Sequence, residues 1–177
     1  MSPHASFYLQ HGLRPQVPEL FRRLKAEGLT ISLDTNNDPD GKWEGGLMDV
    51  LQYVDVFLPN AREARRITGI EDLEKAAARL AEIVPLVIIE LGQQGAMALR
   101  GAERFQSAAT KVDFVDPVGA GDSFDAGFLA QYLQGADLQT CLAWGNLAGA
   151  FSTTMAGGTE AFRDRERREK FWRERGY

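Results

Sequence analysis

Apolar positions along the chain follow two kinds of pattern. One is the short unbroken run, and the other is spacing by threes and fours. Residues 5–10 (ASFYLQ), 29–33 (LTISL), 54–58 (VDVFL) and 86–91 (LVIIEL) are short, apolar and bounded by polar clusters, which predicts strands. The runs 96–100 and 104–108 flank Gly101-Ala102 and predict a hairpin. Helical spacing governs residues 15–27, where Val17, Leu20, Phe21 and Leu24 share a face and Gly28 is a stop. It also governs 71–83, through Leu73, Ala76, Ala77, Leu80 and Ile83. Shorter helices are predicted at 47–51 and 61–68. A helix starting at about Asp122 carries Phe124, Phe128 and Tyr132 on one face. Residues 138–155 form another, rich in Ala and Gly and therefore closely packed. Strands alternate with helices, which predicts an α/β fold with a mainly parallel sheet, as one domain over residues 1–177. The tail RDRERREKFWRERGY predicts a charged terminal helix with Glu166–Lys170 and Glu169–Arg173 pairs.

Composition narrows the class. Apolar residues make up 44 % and charged residues 25 % of the 177, which is ordinary for a soluble globular chain. A net charge of -5 and a pI near 5.1 argue against a nucleic-acid partner. The N-terminal stretch lacks the basic-then-apolar order of a secretory signal, and no apolar run approaches the roughly 20 residues of a membrane span. The single cysteine, Cys141, lies in an apolar run and reads as a core residue. Together these predict a cytoplasmic protein with no membrane partner. His4 and His11 have no partner at metal-ligand spacing.

Polar residues collect after the predicted strands, where α/β sheets bind ligands. The first cluster is Asp34-Thr35-Asn36. The second is Asn60, with Glu63 three residues on. The third is Glu90-Leu91-Gly92-Gln93-Gln94-Gly95. A fourth feature is DFVDPVGAGDSFDAGF, in which Gly119-Ala120-Gly121 precedes Asp122 at a helix mouth. Glycines let backbone approach a ligand, and a helix start offers free N–H groups to an anion such as phosphate. An acid beside that cradle suits a phosphoryl acceptor that must lose a proton. The same acid also reads as a plain helix N-cap, and local sequence leaves the two even. Asn60 with Glu63 could serve hydrated Mg²⁺ or cap a helix. No Gly-Lys-Ser/Thr follows the glycines, and VGAGDS does not match G-x-G-x-x-G, so neither a Walker loop nor a dinucleotide fingerprint is present.

These segments resemble the PfkB/ribokinase family of carbohydrate kinases. DPVGAGDSFDAGF resembles its C-terminal signature, PNAREA its N-x-x-E motif, LGQQGA its nucleotide-side glycine turn and LDTNNDP its Asp-x-Asn segment, all in the family's order. The resemblance implies a ribokinase-like three-layer sandwich and an ATP-dependent sugar kinase. It implies Asp122 as base, and the amides of Gly119, Ala120 and Gly121 as an anion hole. It implies Asn60 and Glu63 at the Mg²⁺–phosphate region, with Asp34 and Asn36 contributing through water. Gly92 and Gly95 would line the ATP site and Asn146 would flank the adenine. Asp116 and the Val118 carbonyl would form a monovalent-cation (K⁺) site, as in some members. The form DPVGAGD is also similar to that of 2-keto-3-deoxy sugar acid kinases. Two positions depart from the family: Asp38, where arginine is frequent, and Glu90, where Thr or Lys is common.

The family's N-terminal portion, with its Gly-Gly sugar-binding segment and lid, has no counterpart here. The expectation is a C-terminal nucleotide-binding and catalytic portion, N-terminal part of the fold absent. Such a chain would form a homo-oligomer or pair with an N-terminal half, and would phosphorylate sugar weakly alone. A non-catalytic nucleotide-binding or partner-binding fragment is the alternative.

Overall fold

A computed structural model of the chain describes residues 2–4 and 6–177. Its elements in chain order are β1 (Ser2–His4), α1 (Val17–Ala26), β2 (Ile31–Leu33), α2 (Leu47–Leu51), β3 (Val56–Phe57), α3 (Ala61–Thr68) and α4 (Leu73–Ala81). Then follow β4 (Leu86–Glu90), β5 (Ala96–Arg100), β6 (Glu103–Ser107), α5 (Ala120–Leu133), α6 (Leu138–Ser152) and α7 (Arg165–Arg173). The strands make a six-stranded sheet in the order β1-β2-β3-β4-β5-β6. The first four are mutually parallel, with Ser2 opposite Ile31, Leu33 opposite Phe57 and Phe57 opposite Val87. Helices carry the chain between them, as parallel pairing requires. Among the described residues no helix is long and apolar enough to cross a membrane.

The chain divides into two compact units: Met1–Leu91 with Met97–Arg104, and Gly92–Ala96 with Phe105–Tyr177. In the first, Ile31, Leu33, Phe57, Val87 and Ile89 join Val17 and Phe21 of α1, Val50 and Leu51 of α2, and Ala77 and Leu80 of α4 in one core. Val87, Ile88 and Ile89 are all fully buried, so both faces of β4 are covered. That is why LVIIEL is an unbroken run instead of an alternating one. Each such side chain contributes about 1.5–3 kcal/mol.

The strand expected over 5–10 does not form. Ala5 lies outside the described residues, Ser6 takes a left-handed φ of 61°, and Phe7–Leu9 make a 3-10 turn. Phe7 and Tyr8 are both buried and meet edge to face at 5.2 Å. A strand would send these neighbours to opposite faces, whereas the turn buries both in one core. The strand lies earlier, at Ser2–His4.

In the second unit α5 packs on α6 through glycines. A Cβ on Gly127 would fall 2.6 Å from the Trp144 carbonyl oxygen, and one on Gly145 would fall 2.7 Å from the Phe124 ring. Phe124, Phe128 and Tyr132 stack in series along α5 at 6.3 and 6.1 Å. α6 stops at Ser152, short of the expected 155. The Thr153 and Thr154 hydroxyls turn back to Ala150 O and Phe151 O, and the Thr153 carbonyl is taken by Val115 and Asp116. In α7 the ion pairs are Arg165–Glu169 and Lys170–Glu174, not the expected combinations. Its Phe171 and Trp172 lie against Phe151 at 4.8 and 5.0 Å, so the charged tail is held by an aromatic face.

Candidate active site

In the first unit the predicted residues gather beyond the carboxyl ends of β2, β3 and β4. Asp34 Oδ1 accepts the Asn36 N–H at 2.9 Å, which sets Asn36 in a left-handed turn with φ 54°. The Asn36 amide reaches Ser6 Oγ at 3.2 Å. Asn60 caps α3: its Oδ1 accepts the Arg62 and Glu63 N–H groups at 3.0 Å each, and Glu63 Oε2 accepts the Asn60 N–H at 3.0 Å. The capping alternative for Asn60 and Glu63 is therefore realised in full. Glu63 is buried, and burial raises its pKa; the Asn60 N–H opposes and the Asp34 charge adds to the rise. Such a carboxylate, with Asp34 near, is a donor set that a hydrated divalent cation would balance. Among the described residues no group of three His, Cys, Asp or Glu is placed to hold a metal by itself.

The departures have local partners. Asp38 is buried and accepts the Trp43 and Asp40 N–H groups at 2.7 and 3.1 Å, closing its own loop. Burial would raise its pKa, but these amides and that of Lys42 hold it below the usual value. Glu90 donates its N–H to Pro59 O at 3.2 Å and pairs in a parallel bridge with Asn60, so it lies beside the α3 cap. Sequence reasoning overlooked Arg62, whose Nη2 donates to Asn37 Oδ1 at 2.6 Å and ties α3 to the 34–38 turn. It also overlooked Tyr8, buried near Asp38, Arg14 and Glu63, with its pKa raised first by burial.

In the second unit Gly92 and Gly95 bound a 3-10 turn, Gly92–Gln94, and both have positive φ. A Cβ on Gly95 would meet Ser107 O at 2.0 Å. Asn146, also buried, donates from Nδ2 to that same Ser107 carbonyl and to Ala108 O, at 3.1 and 3.2 Å. The two residues expected at the nucleotide thus converge on one backbone segment.

The signature loop leads into α5. Gly119 is the N-cap, with φ 76°, and the helix begins at Ala120, two residues before the expected start. Asp122 is therefore not the N-cap. It stands in the first turn, exposed, with no hydrogen bond to its carboxylate among the described residues. Gly119 to Asp122 carry the four N–H groups that a helix leaves without an internal partner. Ala120 N–H turns to Pro117 O at 3.2 Å, and Ser123 N–H starts the helical ladder on Gly119 O at 2.9 Å. Asp116 holds the loop: Oδ1 accepts Val118 N–H at 3.0 Å and Oδ2 accepts Gly157 N–H at 2.9 Å. No sequence signal marked Gly157 or Thr153 as partners of this loop, because they are distant along the chain.

Parallel strands with polar ends in the first unit, and in the second a glycine turn leading into a helix whose first turn carries an exposed acid, define an α/β protein. The chain belongs to the pfkB family of carbohydrate kinases, whose family model matches residues 4–165. It is 36% identical over 131 residues to a cytidine kinase of Thermococcus kodakarensis, covering 72% of this chain and 47% of that one. It is 32% identical over 117 residues to a 2-dehydro-3-deoxygluconokinase of Thermoproteus tenax, covering 65% and 36%. An E. coli structure described as a ribokinase II in complex with ATP and Mg²⁺ superposes with a TM-score of 0.79 at 29% identity, covering 89% of this chain and 53% of that one. The fold is thus ribokinase-like α/β, and the chain spans about half the length of the relatives it matches.

Proposed function

We propose that this chain is the nucleotide-binding and catalytic portion of an ATP-dependent carbohydrate kinase, which moves the γ-phosphoryl group to a sugar hydroxyl. The observation that carries the reading is the start of α5, where an exposed, unpartnered carboxylate shares a helix turn with amides that have no partner inside the helix. In phosphoryl transfer the protein's part is positioning and charge stabilisation. Asp122 takes the proton as the acceptor oxygen attacks. Backbone N–H groups of Gly119, Ala120 and Gly121 face the transferred phosphoryl oxygens, with Ala120 releasing its long bond to Pro117. Gly92, Gly95 and Asn146 serve the nucleotide: Gly92 keeps its backbone bare, Gly95 packs closely on Ser107 O, and Asn146 fixes the same segment.

Asn60 and Glu63, with Asp34 and Asn36 through water, would hold Mg²⁺, which when bound neutralises charge between the phosphates. The relatives' names point to acceptors as different as a nucleoside and a 2-keto-3-deoxy sugar acid, and the DPVGAGD form favours the latter class for this chain. The family supports action in the cytoplasm. A second reading, a nucleotide-binding portion that transfers nothing by itself, is favoured by the full use of Asn60 and Glu63 in the α3 cap. In both readings the chain self-associates or pairs with an N-terminal half, and light scattering that shows a clean monomer would refute that.

The test is coupled ADP release with Mg²⁺-ATP and a sugar panel that includes 2-keto-3-deoxygluconate, for the chain and for Asp122→Asn. Sugar-dependent release that falls about 10²–10⁴-fold in the variant, with ATP affinity unchanged by calorimetry, supports the kinase reading. Equal turnover in both removes Asp122 as base. ATP binding without turnover in either selects the second reading.

A further inference from the structure

The segment before α5 is poorly anchored by burial. Phe114, Val115 and Val118 are 63%, 57% and 60% exposed. Yet this segment must aim the amides of the first helical turn, and an anion hole works only if its donors are fixed before charge develops. Backbone and carboxylate bonds do the fixing. Val115 N–H and Asp116 N–H both donate to Thr153 O, at 2.8 and 3.2 Å. The Asp116 side chain then closes a second connection, with Val118 on one oxygen and Gly157 on the other. Gly119 lies so close to the turn that a Cβ on it would be 2.8 Å from Gly158 Cα. Gly157 and Gly158 have φ of 97° and 68°, which only glycine adopts readily, so the turn's shape is itself specified.

We propose that Asp116 is a positioning residue: its carboxylate latches the loop carrying the anion-hole glycines onto the Gly157-Gly158 turn through direct N–H bonds. The proposal rests on the kinase reading for its purpose, but the latch itself is a property of this loop. The loop's own N–H groups bond the carboxylate directly, one on each oxygen. The same two amides, Gly157 first and then Val118, hold the Asp116 carboxyl below the usual aspartate range, so it is ionised throughout the neutral region. Pro117 between the two anchored residues has a fixed φ and no N–H of its own, which stiffens the span they bracket.

The experiment is amide hydrogen exchange by NMR on the full chain, wild type and Asp116→Asn, in KCl and in LiCl at equal ionic strength, with ATP affinity measured in parallel. The expected result is exchange at Gly157 and Val118 about tenfold faster in the variant, with β4 amides unchanged. The choice of cation should alter neither amide in the wild type by more than about twofold, and ATP should bind about tenfold more weakly to the variant. Protection of these amides by K⁺ and not Li⁺ would overturn the proposal and make Asp116 a cation ligand. Unaltered exchange in the variant would overturn it too. Should the variant fail to fold, the wild type decides: Gly157 and Val118 amides that exchange as slowly in LiCl as in KCl keep the latch, and amides that exchange as fast as the chain ends overturn it. A wild type that binds no ATP yet shows the protected amides would sink the kinase reading and leave the latch standing.

Discussion

Most of the site residues carry a structural duty as well as a proposed chemical one, and Glu63 shows how the two can be separated. Its folded pKa lies above its unfolded value, chiefly because it is buried. Ionising it therefore costs stability as pH rises through the folded value. In Glu63→Gln the side-chain oxygen that accepts the Asn60 N–H remains and the buried charge goes. At pH 8 the variant is expected to melt no lower than the wild type, while Mg²⁺-ATP binds about tenfold more weakly by calorimetry. A melting point several degrees lower would show that the charge itself holds the cap. The polar strand ends of the first unit and the glycine turn of the second were each legible because residue types at fixed spacings carry them, as in Asn60 with Glu63 and in the glycines before Asp122. Whether Asp122 is the N-cap was not legible. It turns on Gly119 adopting φ 76° and starting the helix two residues early, a backbone decision that neighbouring side chains do not encode.

At the scale of elements, the α5–α6 pair depends on missing side chains. Gly145→Ala would put a methyl 2.7 Å from the Phe124 ring, inside contact distance, with the ring itself nearly buried at 3% exposure. The expected loss is about 1–3 kcal/mol, read from chemical denaturation of the second unit's helices. A change below about 0.5 kcal/mol would mean that Phe124 has room to swing. Elements whose ends are marked by punctuation were readable. α3 begins at its Asn60 cap and ends at Gly69, and β5 stops at the Gly101 turn, each as the sequence predicts. The failures come from contacts that local patterns do not contain. Phe7 and Tyr8 suit a strand or a turn equally well until a core exists to receive both. α6 ends where the Thr153 carbonyl is claimed by Val115 and Asp116, and α7's ion pairs follow rotamers that spacing alone does not select.

Over the whole molecule, acidity should matter more than alkalinity. Asp116, Asp137 and Glu169 have lowered pKa values, and Glu19 is pulled down to about 2 by hydrogen bonds from Arg22 and then Arg23. Each folded value lies below the unfolded one, so the stability they add is present above about pH 4 and drains away towards pH 2. Circular-dichroism melts should show a midpoint that falls by a few degrees below about pH 4, and by less in high salt because these groups are exposed. A midpoint held constant down to pH 3 would contradict this. The two compact units are also interleaved along the chain, since the second takes Gly92–Ala96 before the first resumes at Met97–Arg104. A gene crossover outside this stretch mixes the parentage of one unit only, whereas one inside it mixes both. Inheritance must therefore treat the stretch from Gly92 to Phe105 as a splice that both halves own, and swaps between relatives should survive only when their junctions fall outside it.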